Sequence, residues 1–153
     1  MLNVNTNPED IPMPDTVMTG PIDGQKLTHS NLETAPSVAG RRAFFTYHDL
    51  GVKDGSNGAL SAQIMKSKQG LGEPTGWHYH ACEGQFIYII KGWVDLEFEN
   101  GEKKRCNEGD SLFIPGGLRH NETATADELE ILEILVPSEM VTVPTDPPEC
   151  MAG

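Results

Sequence analysis

The sequence predicts an all-β fold, a closed barrel or jelly roll preceded by an extended N-terminal arm. Glycine and proline account for 16 and 11 of the 153 residues, an abundance typical of chains with many tight turns. Short segments of β-favouring residues follow one another at even spacing, without a long helical pattern between them. The prolines lie mainly near the two ends, and only Pro74 and Pro115 interrupt residues 37–136. A strand-rich body between two extended segments explains this distribution.

The clearest strand is WVDLEFE at 93–99, where Val94, Leu96 and Phe98 alternate with acidic residues and therefore share one face. Asn100-Gly101 follows directly and predicts a type I′ hairpin turn. Further segments rich in β-branched, aromatic or alternating residues are predicted strands, at 43–50, 59–68, 77–80, 85–90, 111–115 and 128–136. We expect eight or nine strands in total.

These patterns divide the chain into three predicted parts. Residues 1–40 form the extended arm, residues 41–136 the barrel, and residues 137–153 a C-terminal tail. Within the arm, Ser30 and Glu33 have the spacing of a capping box, which predicts one turn of helix.

The composition excludes several classes of partner. The net charge is −12, and such a surface repels phosphate backbones and anionic lipids, so we expect neither nucleic acid nor membrane binding. No apolar stretch is long enough to cross a bilayer, and no basic segment followed by an apolar run opens the sequence. The three cysteines lack CxxC spacing and predict reduced thiols. We therefore expect a cytoplasmic protein.

Three histidines are the candidate metal ligands. His78 and His80 are two residues apart in a predicted strand, so both side chains point to the same face. His120 follows Pro115-Gly116-Gly117, a turn that can bring a later strand beside the first pair. Three neutral imidazoles suit first-row transition metals and leave coordination positions open. An HxH pair alone is more often a surface pair than a metal site. The residues around the pair are therefore needed to distinguish the two.

That surrounding spacing resembles both sequence motifs of the cupin family. The first motif, G-x5-H-x-H-x3-4-E-x6-G, is satisfied at Gly72, His78, His80 and Gly92, with Gln85 in place of the acid. The second, G-x5-P-x-G-x2-H-x3-N, is satisfied at Gly109, Pro115, Gly117 and His120, with Ala124 in place of the asparagine. The resemblance covers residues 72–124. It implies a cupin-type double-stranded β-helix, a jelly-roll barrel.

The resemblance also implies one divalent metal ion on His78, His80 and His120, with Fe(II) preferred and Mn, Ni or Zn as alternatives. In many cupins the acid of the first motif is a fourth ligand. Gln85 is neutral, so it either binds weakly through its amide oxygen or orients a metal-bound water. Glu83 is a less favoured replacement. A three-histidine set without a carboxylate resembles the thiol, β-diketone and gentisate dioxygenase branches of the family.

Two further polar residues are candidate catalytic groups. Glu133 shares one strand face with Leu129, Ile131 and Leu135, so a carboxylate interrupts an apolar stripe of the lumen. A buried acid near a metal can serve as general base, whereas at the rim Glu133 would only form an ion pair. Gln63, on the strand before the HxH pair, is a candidate hydrogen-bonding group in the lumen.

Other residues are predicted to be structural. We interpret Cys82 as a small half-buried residue, Arg119 as a salt-bridge partner, and His29 and His48 as surface or structural histidines. Phe86, Tyr88 and Ile90 alternate with the lumen residues of their strand and form an apolar outer face. Either the N-terminal arm or a second subunit covers that face, and we expect a homodimer.

The sequence thus predicts a mononuclear non-haem metal enzyme, most directly an Fe(II)-dependent oxygenase, that acts on a small organic molecule in the barrel lumen. The alternative is a metal-containing cupin that binds a small ligand without turnover. A third interpretation is a structural cupin whose site is occupied only adventitiously.

Overall fold

The computed structural model describes residues 20–39 and 44–151. In this part of the chain there are eleven strands, one single-turn α-helix and one 3-10 helix. The strands are β1 (Ser37–Ala39), β2 (Phe45–Asp49), β3 (Ser61–Ser67), β4 (His78–Ala81), β5 (Gly84–Lys91), β6 (Trp93–Phe98), β7 (Lys103–Asn107), β8 (Ser111–Pro115), β9 (His120–Thr125), β10 (Leu129–Val136) and β11 (Val141–Pro144). The α-helix α1 spans Val52–Gly55, and the 3-10 helix spans Glu149–Met151.

The strands form two antiparallel sheets that enclose a lumen. The larger sheet has the order β1-β2-β3-β10-β5-β8 and the smaller sheet the order β11-β4-β9-β6-β7. Strands distant in sequence are therefore neighbours in space, and β10 lies between β3 and β5. The prediction of an all-β fold is confirmed, although the described residues contain more strands than the eight or nine expected.

The core follows from the alternation of side chains. In β6, Val94, Leu96 and Phe98 point inward and are buried, whereas the acidic residues between them are half-buried. The same period of two in β10 buries Leu129 and Ile131 against the inward residues of β5. Because one face of these strands is apolar, the two sheets bury these residues by facing one another.

The β6–β7 hairpin forms where Asn100-Gly101 predicts it, but the turn type is different. The Gly101 amide donates to the Phe98 carbonyl, and Gly101 has positive φ whereas Asn100 does not. A type I′ turn requires positive φ at both central residues. The loop is instead a longer one that places glycine in the left-handed conformation, and the Asn100 side chain accepts a hydrogen bond from the Glu102 amide.

The capping box predicted at Ser30 and Glu33 does not form, although a single turn does, in which the Ala35 amide donates to the Asn31 carbonyl. Asn31 instead caps a turn, because its side-chain oxygen accepts a hydrogen bond from the Glu33 amide. Asparagine competes well for such local hydrogen bonds. The helix α1 lies later, between β2 and β3, where the sequence pattern does not indicate one.

Two features of the smaller sheet determine how the candidate site is built. Strand β11 comes from the segment that the sequence describes as a tail, and it pairs with β4 from Val141 opposite Ala81 to Pro144 opposite His78. Within the described residues, β4 and β9 pair at a single position, His78 opposite His120. The two predicted ligands from distant motifs are therefore direct cross-strand neighbours.

The outer face of β5 is apolar, as its sequence predicts. Tyr88 and Ile90 are 40% and 39% exposed, and Phe113 of neighbouring β8 is 62% exposed. Nothing in the described residues covers this face. About half of the predicted arm, including residues 1–19, lies outside the described residues. In the described part of the chain, no helix has the length and apolar character needed to cross a membrane.

Candidate metal centre

His78, His80 and His120 converge inside the barrel. Their ring centroids are 4.5–5.1 Å apart, and one nitrogen of each lies within 4.8 Å of the corresponding nitrogen of the others. All three residues are buried. The turn before β9 is pressed against the end of β4, where the Gly117 amide donates to the His80 carbonyl. A side chain at Gly116 would overlap the Cys82 carbonyl, so only glycine allows this approach.

The Nδ1 atom of each histidine has an oxygen partner on the protein. His78 Nδ1 is 2.8 Å from the Gly76 carbonyl oxygen and His120 Nδ1 is 2.9 Å from that of Leu118. His80 Nδ1 is 3.2 Å from the Thr142 hydroxyl on β11. A carbonyl can only accept, so Nδ1 carries the proton in His78 and His120 and the Nε2 lone pair is directed to the centre. This arrangement fixes the tautomer and ring orientation that metal ligation requires.

The electrostatics of the cluster also suit a dication. Burial lowers the pKa of His120 below its ordinary value, which favours the neutral imidazole that binds metals. The ligand atoms of the three histidines lie within 4.8 Å of one another, so the cluster could hold one first-row ion, whose bonds of about 2.1 Å would bring the nitrogens to within about 4.2 Å. The donor set thus fits the divalent transition metal that the sequence predicts.

Gln85 and Glu133 lie on the larger sheet, facing the lumen, and contact each other directly. The Gln85 amide nitrogen donates to one carboxylate oxygen of Glu133, and the Gln63 amide nitrogen donates to the other, both at 2.5 Å. Gln63 is the cross-strand neighbour of Glu133, and Gln85 is diagonal to it. Glu133 is 1% exposed. Glu133 therefore does not lie at the rim of the barrel. The two amide groups hold its carboxylate inside the lumen.

The amide oxygen of Gln85 shows what this side chain offers to the lumen. This oxygen, Oε1, is buried and has no hydrogen-bond partner among the described residues. A carboxylate accepts from the amide nitrogen, so the contact with Glu133 determines which end of the amide is left for the lumen. An orphaned buried acceptor is costly unless something binds to it. Gln85 thus presents a carbonyl-type oxygen to an ion or to a ligand that donates a hydrogen bond.

A cavity of about 370 Å³ is lined by two of the three histidines, His78 and His80, together with Gln85 and Glu133. Its size is within the range of sites that bind small organic molecules. Aliphatic and aromatic side chains form most of the remaining wall, among them Phe45, Tyr47, Met65, Ile87, Leu96 and Ile131.

Residues 68–136 match the sequence profile of a family described as "Cupin domain". This segment is a cupin domain. The solved structure of the polyketide cyclase RemF from Streptomyces resistomycificus has the same fold, with a TM-score of 0.63 and 17% identity over 81% of this chain and 89% of that one. The double-stranded β-helix predicted from the two motifs is confirmed.

Two curated proteins are similar in sequence to part of this cupin. An uncharacterized protein of Aquifex aeolicus (strain VF5) is 41% identical over 61 residues, which are 40% of this chain and 50% of that protein. The tetracenomycin polyketide synthase protein TcmJ of Streptomyces glaucescens is 32% identical over 65 residues, 42% of this chain and 43% of that protein. The matched segments thus span half or less of each relative.

Glu122 is a lumen residue of this cupin that sequence reasoning missed. Its carboxylate Oε2 lies 3.6 Å from Nε2 of His78 and accepts a hydrogen bond from the Thr75 hydroxyl. The Glu122 amide in turn donates to that hydroxyl, so the loop before β4 holds the side chain in place. The sequence does contain a pattern that indicates Glu122. Glu122 follows His120 by two residues, and in a strand it shares the face of that histidine.

The remaining candidates lie outside the centre of the cupin lumen. Glu83 is exposed, on the turn between β4 and β5, and so does not replace the motif acid. Cys82 is half-buried, and desolvation raises the pKa of its thiol, which keeps it protonated. Arg119 forms the predicted salt bridge, with Nε 2.8 Å from Glu99. His29 and His48 are outside the cavity lining.

Proposed function

We propose that this cupin is a mononuclear non-haem metal enzyme, an Fe(II)-dependent oxygenase, that acts on a small organic molecule in the barrel lumen. One observation supports the proposal above the others. Three buried imidazoles, each with Nδ1 held by an oxygen of the protein, bring their ligand atoms together, and two of them, His78 and His80, line a cavity large enough for a substrate. Mn, Ni or Zn are the alternative ions.

A bound Fe(II) ion would supply Lewis acidity and open positions for dioxygen and substrate. The protein's own residues would do the rest. His78, His80 and His120 hold the ion, and the apolar wall excludes water from the lumen. Gln85 offers its amide oxygen to the ion or to a substrate group. Glu133, fixed by two amides, keeps that oxygen in place, and we assign it this positioning role in preference to general-base catalysis.

Redox-neutral ring closure is a second candidate function. The curated relative TcmJ belongs to a polyketide synthase, and the structural neighbour RemF is a polyketide cyclase. Both names support a substrate with several carbonyl or hydroxyl groups. In such a reaction the metal acts as Lewis acid only, and no oxygen is consumed.

The test measures oxygen consumption. Protein freed of metal is loaded anaerobically with one equivalent of Fe(II) and mixed with small β-diketones, thiols or hydroxy-aromatic compounds. For an oxygenase, at least one class shifts the electronic spectrum, and admitted oxygen is then consumed in proportion to the substrate. His120→Ala abolishes the consumption. His29→Ala is the matched control, because His29 is an exposed histidine outside the cavity, and it leaves consumption unchanged.

Two other outcomes contradict the oxygenase. Conversion of a substrate by Zn- or Mn-loaded protein without oxygen uptake supports ring closure or a related Lewis-acid reaction. Tight binding of a probe that raises the melting temperature, with no conversion under Fe, Mn, Ni or Zn, supports a non-catalytic ligand-binding cupin.

A further inference from the structure

The charges around the cavity are of one sign. Glu122 and Glu133 both line it, and none of the described lining residues is lysine or arginine. Glu133 accepts hydrogen bonds from two amides and Glu122 accepts one from Thr75, as carboxylates do. A dication with three neutral imidazoles and these two carboxylates has no net charge. The site therefore lacks the excess positive charge that would attract a dianion.

Gln85, Glu122 and Glu133 bring oxygen acceptors to the cavity lining, to which Tyr47, Thr75, Thr125 and Thr142 add hydroxyl groups. The Gln85 amide nitrogen is engaged by Glu133, which leaves the buried Oε1 as the atom without a partner in the described residues. Gln63 donates to the other oxygen of Glu133, so both carboxylate oxygens accept an amide hydrogen bond. On the opposite wall, Glu122 adds a second acceptor near His78. A ligand between the two walls meets oxygen atoms that can accept hydrogen bonds from its N–H or O–H groups.

Most of the remaining wall is apolar, and the cavity is larger than a two-carbon acid needs. Ile87, Leu96 and Ile131 are buried side chains that line this wall. A cavity of about 370 Å³ is at the lower end of sites for ring-sized ligands. Burying apolar ligand surface here is favourable, whereas burying an uncompensated carboxylate is not.

We infer that the substrate of this site is an uncharged, largely apolar molecule that bears hydroxyl or enol groups, and that small mono- and dicarboxylates are excluded. The inference rests on the proposed function, since it takes the histidine cluster as the metal site. Gln85 selects for a hydrogen-bond donor, and Glu122 and Glu133 select against a negative charge. Selection operates by repulsion as well as by attraction.

A matched pair of chelating probes tests the inference. 2-Hydroxyacetophenone and salicylate have the same ring and the same ortho hydroxyl, but only salicylate carries a carboxylate. Oxalate serves as the small dianion. The protein is loaded with Co(II), its metal content is measured, and the dissociation constants are obtained by calorimetry and from the Co(II) absorption bands. We expect 2-hydroxyacetophenone to bind at least about tenfold more tightly than salicylate, and oxalate not to bind at millimolar concentration.

Glu122→Gln identifies the source of the selectivity. Glu122 is partly exposed, and glutamine keeps an oxygen for Thr75, so we expect the variant to fold. Salicylate should bind about tenfold more tightly to it than to the wild type, because one repelling charge is removed, with little change for 2-hydroxyacetophenone. Glu108→Gln changes the net charge equally at an exposed position outside the cavity and should alter neither constant.

The outcomes separate the two proposals. Protein that binds no stoichiometric Co(II) refutes the metal enzyme and this inference with it. Protein that binds one Co(II) per chain but prefers salicylate or oxalate, or binds none of the probes, overturns the substrate class alone. Unchanged salicylate affinity in Glu122→Gln also overturns it, since the carboxylate then has no part in selection.

Discussion

Glu133 lies in a stripe of otherwise apolar residues on β10 and is 1% exposed. Burial of a carboxylate is unfavourable unless hydrogen bonds compensate it. Here two amide groups do so, one from the neighbouring strand on each side. The three side chains form a short polar bridge across β3, β10 and β5. This bridge holds the Gln85 amide oxygen in a fixed position on the wall of the lumen that the larger sheet forms.

The bridge predicts the behaviour of Gln85→Glu. This change removes an amide donor and places a second carboxylate beside Glu133, which should cost the metal-free protein about 3 kcal/mol of stability. A carboxylate at position 85 also faces the metal centre, so Mn²⁺ should restore more of the melting temperature than it adds to the wild type. Thermal denaturation with Mn²⁺ and with a chelator measures both effects.

Gln63→Glu is the control for this experiment. It places the same charge beside Glu133 from β3, but Gln63 is not among the residues that line the cavity. We expect a similar loss of stability without the additional gain from Mn²⁺. Equal Mn²⁺ gains in the two variants would show that the side chain at position 85 does not face the ion.

At the scale of elements, β11 contributes directly to the centre. It pairs with β4 along its whole length, which brings the Thr142 hydroxyl to His80 Nδ1. The other two histidines use backbone carbonyls for the same purpose. His80 is thus the ligand whose orientation depends on a side chain, and that side chain comes from a strand that the sequence does not mark.

Thr142→Val should weaken metal binding about tenfold, because the partners of ligating histidines typically contribute a factor of 10–100. Competition with a chromogenic chelator for Zn²⁺ or Co²⁺ measures the affinity. Thr145→Val is the matched control, since the Thr145 hydroxyl is buried without a partner in the described residues. A tenfold loss in both variants, or in neither, would contradict the role assigned to Thr142.

At the scale of the molecule, the outer face of β5 and β8 carries a cluster of exposed apolar side chains. Phe113, Tyr88 and Ile90 are exposed there, on strands paired in register. Apolar surface of this kind on a soluble chain commonly marks an interface. A second copy placed on this face would form the homodimer that the sequence predicts.

The wild-type protein should therefore sediment at about twice the chain mass of 16.7 kDa, and Phe113→Lys should reduce it to a monomer. The charge would be buried without a partner at the interface. Leu27→Lys is the control, because Leu27 is 98% exposed and lies away from this face, in the N-terminal segment. A wild-type monomer, or a Phe113→Lys dimer of unchanged affinity, would refute the interface.

Strands with alternating apolar residues could be predicted from the sequence, because burial of one face imposes the pattern. Strands β9 and β11 could not, since HNETAT and VTVP lack it and their pairing with other strands defines them. The histidine cluster was predictable from motif spacing. The bridge of Gln63, Glu133 and Gln85 was not, because it depends on the register of three strands that are far apart in sequence.

The pairing of β4 with β9 has a consequence for the fate of the protein. These strands share one register pair in the described residues, His78 opposite His120, so few backbone hydrogen bonds join the two halves of the smaller sheet there. An ion bound to both histidines would cross-link β4 to β9. Without it, β4 and β11 would open locally more often than β10 does. In cells that lack the metal, proteases would therefore cleave the chain first at the boundary between β4 and β9. The amount of protein in the cell would then depend on the concentration of available metal.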